Sequence, residues 1–269
     1  MRGMTSMPIR SVRCLAGVVT GLAVMLPGIV QGQTLAELQA AAKKRDPAAQ
    51  YQLGRRYLLG LGTTADEKEG FKLLKEAADK ALNNYEAMHM VAVCYTTESG
   101  TKKNDKEAFK YLEKAAMGGL AEAQFKLGAA YENKLLGLKQ DAGNAMKWYL
   151  AAAKQGHPRA QHNYARLAYE AQDYGTAAEW YRKAADQGHI EAQLWIGNLY
   201  NLGQGVSKDL AEAYKWYLLA ARMGHADALK KLESAKGSSR LYFDEKTTAE
   251  GLRRAEAYLE LHREREKAP

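Results

Sequence analysis

An internal repeat constrains the fold of this chain more than any other feature of its 269 residues. A leading alanine returns about every 36 residues. It is followed four positions later by an apolar residue, next by glycine or alanine, and at offset eight usually by tyrosine. These offsets place the recurring side chains on one face of a helix. The leading alanines are Ala49, Ala87, Ala123, Ala160, Ala192 and, in a partial sixth copy, Ala228.

A second block completes each copy of the repeat. Its pattern is Ala-x-x-Trp-Tyr-x-x-Ala-Ala, which begins at Ala145, Ala177 and Ala213, while the first two copies are looser. Each block from the second copy onward ends at or near a glycine, the residue that a helix C-terminus favours. The repeat is therefore predicted to be helix, loop, helix and glycine turn. One such hairpin cannot bury its apolar face alone, so the sequence predicts an all-α solenoid of five to six stacked helix-turn-helix repeats.

Glycine recurs inside the first helices, at Gly54, Gly128 and Gly197. Because glycine in a helix interior costs about 1 kcal/mol relative to alanine, we expect the second helix of the repeat to approach closely there. The Trp-Tyr pairs are predicted to fill the space between neighbouring repeats.

The two ends of the array carry candidate capping helices. Residues 33–45 include an amphipathic stretch, Leu35 to Lys44, that should end before Asp46 and Pro47. After a linker at residues 234–246, residues 247–269 are predicted to form a C-terminal capping helix. Thr247 and Glu250 have capping-box spacing there. The expected apolar stripe of this helix is Leu252, Ala255, Leu259 and His262.

The N-terminus has the layout of a secretory signal peptide. Arg2, Arg10 and Arg13 precede the apolar run from Cys14 to Val30, and we place the cleavage after Gly32. The mature chain would then be periplasmic or secreted, with no stable membrane insertion. An uncleaved membrane anchor is the alternative, although this run is shorter than the roughly 20 residues of a typical span.

Removal of the leader also changes the charge and the cysteine content. The formal net charge falls from +8 to +5, because three arginines and no acidic residues are lost. Basic and acidic residues alternate along the rest of the chain, so a nucleic-acid partner is not expected. Cys94 becomes the only cysteine, which excludes an intramolecular disulfide.

The pattern from Ala192 to Ala221 resembles the Sel-one-like repeat, a relative of the tetratricopeptide repeat. The resemblance covers about residues 46–233, and the first, second and partial sixth copies depart from it at Gln, Trp or Tyr positions. It implies a right-handed α/α superhelix that acts as an adaptor for other proteins, often in the bacterial envelope, without a shared active site or cofactor. The repeats lie near 46–82, 83–119, 120–156, 157–188, 189–224 and, partially, 225–233.

Three features suggest chemistry, and each has a simpler explanation. Ser99 and Lys102 have the Ser-x-x-Lys spacing of serine β-lactamases, but no Ser-Asp-Asn or Lys-Thr-Gly accompanies them. Cys94 is expected to be a buried, small apolar residue. Histidine follows the turn glycine three times, where it should begin the next helix, because equivalent residues in stacked repeats are too far apart to share a zinc ion. These are His157, His189 and His225.

The sequence therefore favours a binding module over an enzyme, and a protein or peptide of the envelope as its partner. An envelope hydrolase or penicillin-binding protein remains the alternative. A cysteine-rich branch of the family is reported to bind penicillin-like compounds, but it has disulfides that this chain lacks.

By analogy with tetratricopeptide arrays, the first-helix positions two before and two after the apolar residue should line the inner groove of the superhelix. We expect Arg55 and Arg166 to pair with carboxylates of the partner, and Tyr51 and Phe125 to receive its apolar side chains. A solvated face that binds nothing is the competing interpretation. The groove positions are Tyr51, Arg55, His89, Val93, Phe125, Ala129, His162, Arg166, Leu194 and Asn198.

Overall fold

The computed structural model describes residues 33–234 and 243–267, and every regular element in these two ranges is an α-helix. The predicted leader and most of the linker lie outside the described residues. None of the described helices is long and apolar enough to cross a bilayer. In chain order the helices are α1 Leu35–Lys43, α2 Pro47–Leu59, α3 Glu67–Lys80, α4 Tyr85–Thr97, α5 Asp105–Met117, α6 Ala121–Glu132, α7 Ala142–Lys154, α8 Pro158–Glu170, α9 Tyr174–Asp186, α10 Ile190–Leu202, α11 Leu210–Arg222, α12 Ala226–Ser234 and α13 Glu245–Lys267.

An Asp or Asn side chain starts the second helix of every repeat. In the third repeat, for example, Oδ1 of Asp141 accepts a hydrogen bond from the backbone N–H of Asn144 at 2.9 Å. Such a cap satisfies an otherwise unpaired N–H of the first turn and contributes about 1 kcal/mol. The five capping residues are Asp66, Asn104, Asp141, Asp173 and Asp209.

The helices form two compact segments that divide within α5, after Tyr111. In the N-terminal segment, α1 packs on α2, α2 on α3, and α3 on α4. In the C-terminal segment each helix from α6 to α11 packs on the next, and α13 packs on α11. Antiparallel neighbours joined in chain order give the all-α repeat solenoid that the sequence predicts.

The helical glycines lie where the two helices of a repeat approach each other. A Cβ atom added to Gly128 would lie 2.8 Å from Cδ1 of Tyr149, and one added to Gly197 would lie 2.7 Å from Cε1 of Tyr217. At Gly54 the neighbour is Cγ of Leu74, at 2.9 Å. Since real Cβ atoms do not come this close, the predicted close approach is confirmed.

The Trp-Tyr pairs fill space between neighbouring repeats, as the sequence predicts, although the two rings of a pair differ in burial. Tyr149, Tyr181 and Tyr217 are fully buried, whereas the rings of Trp148 and Trp180 are only half-buried. Trp180 lies edge-on to Tyr164 of its own repeat at 5.6 Å and also packs against the core cluster of the third repeat, while Tyr181 stacks on Trp195 of the fifth repeat at 5.9 Å. In the fifth repeat Trp216 is fully buried as well, because Tyr258 of α13 contacts it edge-on at 5.3 Å.

The C-terminal helix α13 begins at Glu245, so Thr247 is not its cap as the spacing suggested. Asp244 is the capping residue, and its Oδ1 accepts from the N–H of Thr247 at 2.7 Å. Ala255 is buried and Leu259 packs against the same cluster as Trp216, as the stripe predicts. The stripe omitted Arg254, whose Nη1 lies 2.7 Å from Oδ2 of Asp209.

Candidate functional site

In the N-terminal segment the predicted groove residues differ in exposure. Tyr51 and Arg55 are half-buried, and the Arg55 guanidinium lies 5.5 Å from the centre of the Tyr51 ring. Burial raises the pKa of Tyr51, and the charge of Arg55 opposes that shift. Val93 is half-buried, whereas His89 is buried, so the surface within reach of a partner consists mainly of Tyr51 and Arg55.

In the C-terminal segment Phe125 and Leu194 are packed side chains, which corrects the expectation that these positions are open. Only 4% of Phe125 and 8% of Leu194 are exposed. The Phe125 ring stacks on the imidazole of His157 at 4.8 Å and touches the Tyr149 ring at 5.8 Å. The position two residues after the leading alanine thus faces the residue that starts the next repeat.

His162 occupies the same position in the fourth repeat and packs in the same way. Its ring stacks on that of His189 at 4.7 Å, and Tyr181 lies 5.4 Å away. Nδ1 of His162 is buried and has no hydrogen-bond partner within the described part of the chain. Burial, aided by His189 and Arg166, lowers the pKa of His162 to about 3, so the imidazole is neutral at pH 7.

Arg166 lies between two carboxylates rather than being free for those of a partner. Its guanidinium forms ion pairs with Glu132 of α6 and Glu170 of α8. Oε2 of Glu132 also accepts a hydrogen bond from the Tyr149 hydroxyl at 2.6 Å. Two carboxylates around one guanidinium leave a net negative charge here, so this place attracts a cation more than a carboxylate.

The two remaining groove positions of this segment are small. Ala129 is half-buried. Asn198 is half-buried too, and its Oδ1 accepts a hydrogen bond from the Tyr217 hydroxyl at 2.9 Å, which leaves the amide N–H₂ of Asn198 for other contacts.

Three histidines start helices, as the sequence predicts. Nδ1 of His157, His189 and His225 accepts the backbone N–H of Ala160, Ala192 and Ala228 at 3.1, 3.3 and 3.4 Å. On the opposite ring nitrogen, Nε2 of His157 lies 2.9 Å from Oε2 of Glu122, and Nε2 of His225 lies 3.2 Å from Oε2 of Glu191. The described residues contain no cluster of three or more His, Cys, Asp or Glu side chains that could hold a metal ion.

The candidate nucleophiles are buried. Ser99 is buried and its Oγ lies 3.0 Å from Oγ1 of Thr97. Lys102 lies in a surface depression, and none of the hydrogen bonds between described residues joins it to Ser99. Cys94 is fully buried, as predicted, and burial together with the charge of Glu67 raises the pKa of its thiol to about 12.

The repeat pattern decides the family. Five Sel1 repeats match the chain, at residues 47–82, 86–120, 121–157, 158–189 and 190–225. The chain belongs to the Sel1 repeat family. This confirms the resemblance seen in the sequence, and with it the relation to the tetratricopeptide-like superfamily.

Solved structures of Sel1 repeat proteins are similar to this one. A protective antigen of uropathogenic Escherichia coli that displays an SLR fold is 30% identical, with a TM-score of 0.70, over 76% of this chain and 44% of its own. A Sel1 repeat protein from Oxalobacter formigenes is 28% identical, with a TM-score of 0.67, over 74% of this chain and 58% of its own. The chain thus spans less than half of the first protein and under three fifths of the second.

Sequence reasoning missed two groups of surface residues in this Sel1 repeat protein. Glu132 and Glu170, which bind Arg166, follow their leading alanines by nine and ten positions, beyond the recurring tyrosine at offset eight. Glu122, Arg159 and Glu191 directly precede the leading alanines. Both groups lie just outside the recurring pattern, one residue before the leading alanine and one or two residues after the tyrosine position.

Proposed function

We propose that this Sel1 repeat protein is an exported, non-catalytic scaffold that holds another protein or peptide of the bacterial envelope. The proposed binding surface lies on the first helices of the C-terminal segment. It is called the first-helix surface, and it consists of Lys126, Glu132, Arg159, Arg166, Glu170 and Asn198, all half-buried or exposed.

The observation that carries the proposal is the bridge between Glu132 and Arg166. It joins the first helices of two neighbouring repeats and holds charged groups in fixed positions at the surface. A guanidinium held between two carboxylates keeps few rotamers, so less side-chain entropy is lost when a partner binds. Fixed polar groups on rigid helices are what a specific protein-binding surface needs.

The envelope location rests on the predicted leader at residues 1–32. The match to a protective antigen with an SLR fold is consistent with such a location. Sel1 repeats are typically a fold for protein–protein interaction, which agrees with a scaffold role.

No contact in the described residues favours the hydrolase alternative. Ser99, its candidate nucleophile, is buried against Thr97, and the lysine of the motif makes no hydrogen bond to it. A general base must lie within hydrogen-bond reach of the hydroxyl that it activates.

A photoreactive amino acid placed at Glu170, in cells that export the protein, tests the proposal. Glu179 is a matched control, because it is also an exposed helical glutamate paired with a cation four residues away, but on a second helix. We expect a discrete adduct from position 170 and none from position 179, with the partner identified by mass spectrometry. Equal adducts from both positions, or none from position 170, would contradict the proposal.

A further inference from the structure

A carboxylate accompanies the starting histidine in two of the three histidine-capped repeats. His157 and His225 each use Nδ1 to accept a helix N–H, so in the neutral ring the proton is on Nε2. That Nε2–H faces Glu122 at 2.9 Å and Glu191 at 3.2 Å, respectively. In both cases the glutamate directly precedes the leading alanine of the previous repeat.

The fourth repeat breaks this pattern, because Arg159 stands where the glutamate would be. His189, which starts the fifth repeat, still accepts the N–H of Ala192 with Nδ1 at 3.3 Å, so its Nε2 carries the proton. Within the described ranges, no ion pair or hydrogen bond connects this Nε2 to a carboxylate. His189 thus presents the same Nε2–H donor as His157 and His225, but without the glutamate that accepts it in those two places.

Arg159 is held in position but its charge is not neutralised. It is exposed, and its guanidinium lies 4.7 Å from the centre of the Phe125 ring. Stacking on an aromatic face leaves the N–H groups at the guanidinium edge free to bind an anion. No carboxylate of the described residues forms an ion pair with it.

Four ionisable groups surround the half-buried imidazole of His189. His162 stacks on it from α8 at 4.7 Å. Burial lowers the pKa of His189, Glu191 on its own helix opposes this, and Arg159 and His157 lower it further. The imidazole is therefore a neutral N–H donor at pH 7, and Arg159 supplies the positive charge.

We propose that Arg159 and His189 form a carboxylate-binding site that takes an acidic side chain or the C-terminal carboxylate of the bound partner. One carboxylate oxygen accepts the Nε2–H of His189, and the guanidinium of Arg159 pairs with the anion. The ligand takes the place that Glu122 and Glu191 occupy in the flanking repeats. The inference rests on the proposed function, since it assigns one contact of the bound peptide.

Small probes test the site without the natural partner. The imidazole signals of His189 are followed by NMR in the mature chain, residues 33–269, at pH 7. N-acetyl-glutamate α-amide stands for an acidic side chain, N-acetyl-alanine for a C-terminal carboxylate, and N-acetyl-glutamine α-amide is the uncharged control. We expect saturable shifts at His189 with at least one carboxylate probe and none with the glutamine probe. Which carboxylate binds more tightly tells the two sources apart.

Arg159→Glu supplies the missing carboxylate from the chain itself. We expect this variant to bind the carboxylate probes about tenfold more weakly or worse, which matches the loss of one charge-assisted hydrogen bond. Because Arg159 lowers the pKa of His189, the glutamate should also raise that pKa, which verifies that residue 159 lies close to the imidazole in solution. Arg222→Glu makes the same charge change at an exposed site on α11 and should bind the probes like the wild type.

The outcomes separate this inference from the proposed function. Wild-type affinity in Arg159→Glu, equal shifts with the glutamine probe, or no shift at His189 would overturn the carboxylate site. If the adduct from position 170 still forms in that case, the scaffold function stands without this site. If the probes bind but no adduct forms at position 170, the carboxylate site is supported and the proposed scaffold role is contradicted.

Discussion

Nε2 of Gln187 donates a hydrogen bond to Oε1 of Gln161, 2.7 Å away, and so joins the end of one repeat to the start of its own first helix. Nε2 of Gln161 in turn donates to the carbonyl of Ala153 in the previous repeat at 3.2 Å. The third repeat has the same chain of amides, in which Gln155 donates to Gln124 at 2.8 Å. These chains of amides, in which Gln124 and Gln161 are buried, fix the register between neighbouring repeats.

The fifth repeat lacks the last link of this chain. Gln193 donates to the carbonyl of Ala185 at 3.4 Å, but Met223 stands where Gln155 and Gln187 stand in the other two repeats. Oε1 of Gln193 is consequently buried without a hydrogen-bond partner in the described part of the chain. We expect Met223→Gln to supply the donor and raise the free energy of unfolding by about 1 kcal/mol.

Thermal unfolding measures this gain. Met223 is 62% exposed, so its loss removes little buried apolar surface. About 1 kcal/mol corresponds to a rise of roughly 2–4 °C in Tm for a chain of this size. Arg222→Gln places the same amide one residue earlier and should leave Tm unchanged. An unchanged or lower Tm in Met223→Gln would show that the orphaned carbonyl oxygen costs nothing.

The contact between Gly197 and Tyr217 gives a second prediction. Gly197→Ala would gain about 1 kcal/mol of helix propensity but place a Cβ 2.7 Å from the buried ring. Overpacking of a rigid aromatic core costs about 1–3 kcal/mol, so we expect a net loss, and a larger one for leucine. Gly175→Ala is the control, because its Cβ would meet only Oδ1 of Asp173 at 3.8 Å. Denaturant unfolding should show a lower midpoint for the first variant only.

Two tryptophans at the same repeat position should differ in their effect on stability. Trp216→Ala should cost about 3–5 kcal/mol, because the ring is fully buried under α13. Trp180 is half-buried, so Trp180→Ala should cost clearly less. Urea unfolding of both variants checks the order, and equal losses would mean that α13 does not cover Trp216 in solution.

These tryptophans also show how far the sequence predicts the fold. Contacts inside one hairpin, such as Gly128 against Tyr149, follow from offsets of a few residues, and those predictions are confirmed. The burial of Trp216 depends on α13, which begins about 30 residues later in the sequence. This helix is not part of the repeat, so the repeat pattern does not predict where it packs. Phe125 is likewise buried by His157 of the next repeat. The repeat pattern therefore identifies the row of first-helix positions. It does not predict which of these side chains are exposed, because that depends on contacts with the next repeat.

The half-buried, neutral imidazole of His162 predicts a pH dependence of stability. Its pKa is lowered to about 3, mainly by burial, whereas an unfolded chain binds the proton near pH 6.5. The unfolded state therefore holds more protons between these values, so stability is full above pH 6.5 and falls as the pH drops towards 3. One proton accounts for at most about 1.4 kcal/mol per pH unit.

His162→Leu isolates this contribution, because the equivalent position of the fifth repeat already holds a leucine, Leu194. We expect the variant to show a shallower loss of unfolding free energy between pH 6.5 and 4 than the wild type. Denaturant titrations at several pH values measure both slopes. Parallel curves would show that His162 is protonated alike in the folded and unfolded chain.

The leader gives the last prediction, which is that the exported protein begins at Gln33. Val30 and Gly32 offer the small or apolar residues that signal peptidase accepts three and one positions before the cut. Intact-mass analysis of the exported protein should therefore give the mass of residues 33–269. A protein that keeps residues 1–32 and fractionates with membranes would mean that the segment is an anchor.

Substitution at the cleavage site distinguishes processing from anchoring. Gly32→Leu puts a large side chain directly before the cut, where a small one is required, so the variant should keep its leader and remain with the membrane fraction. Gln31→Leu changes the neighbouring position, which the peptidase does not select for size, and should still be processed at Gln33. If both variants and the wild type give the same membrane-bound mass, residues 1–32 hold the protein at the membrane and the mature chain is never released.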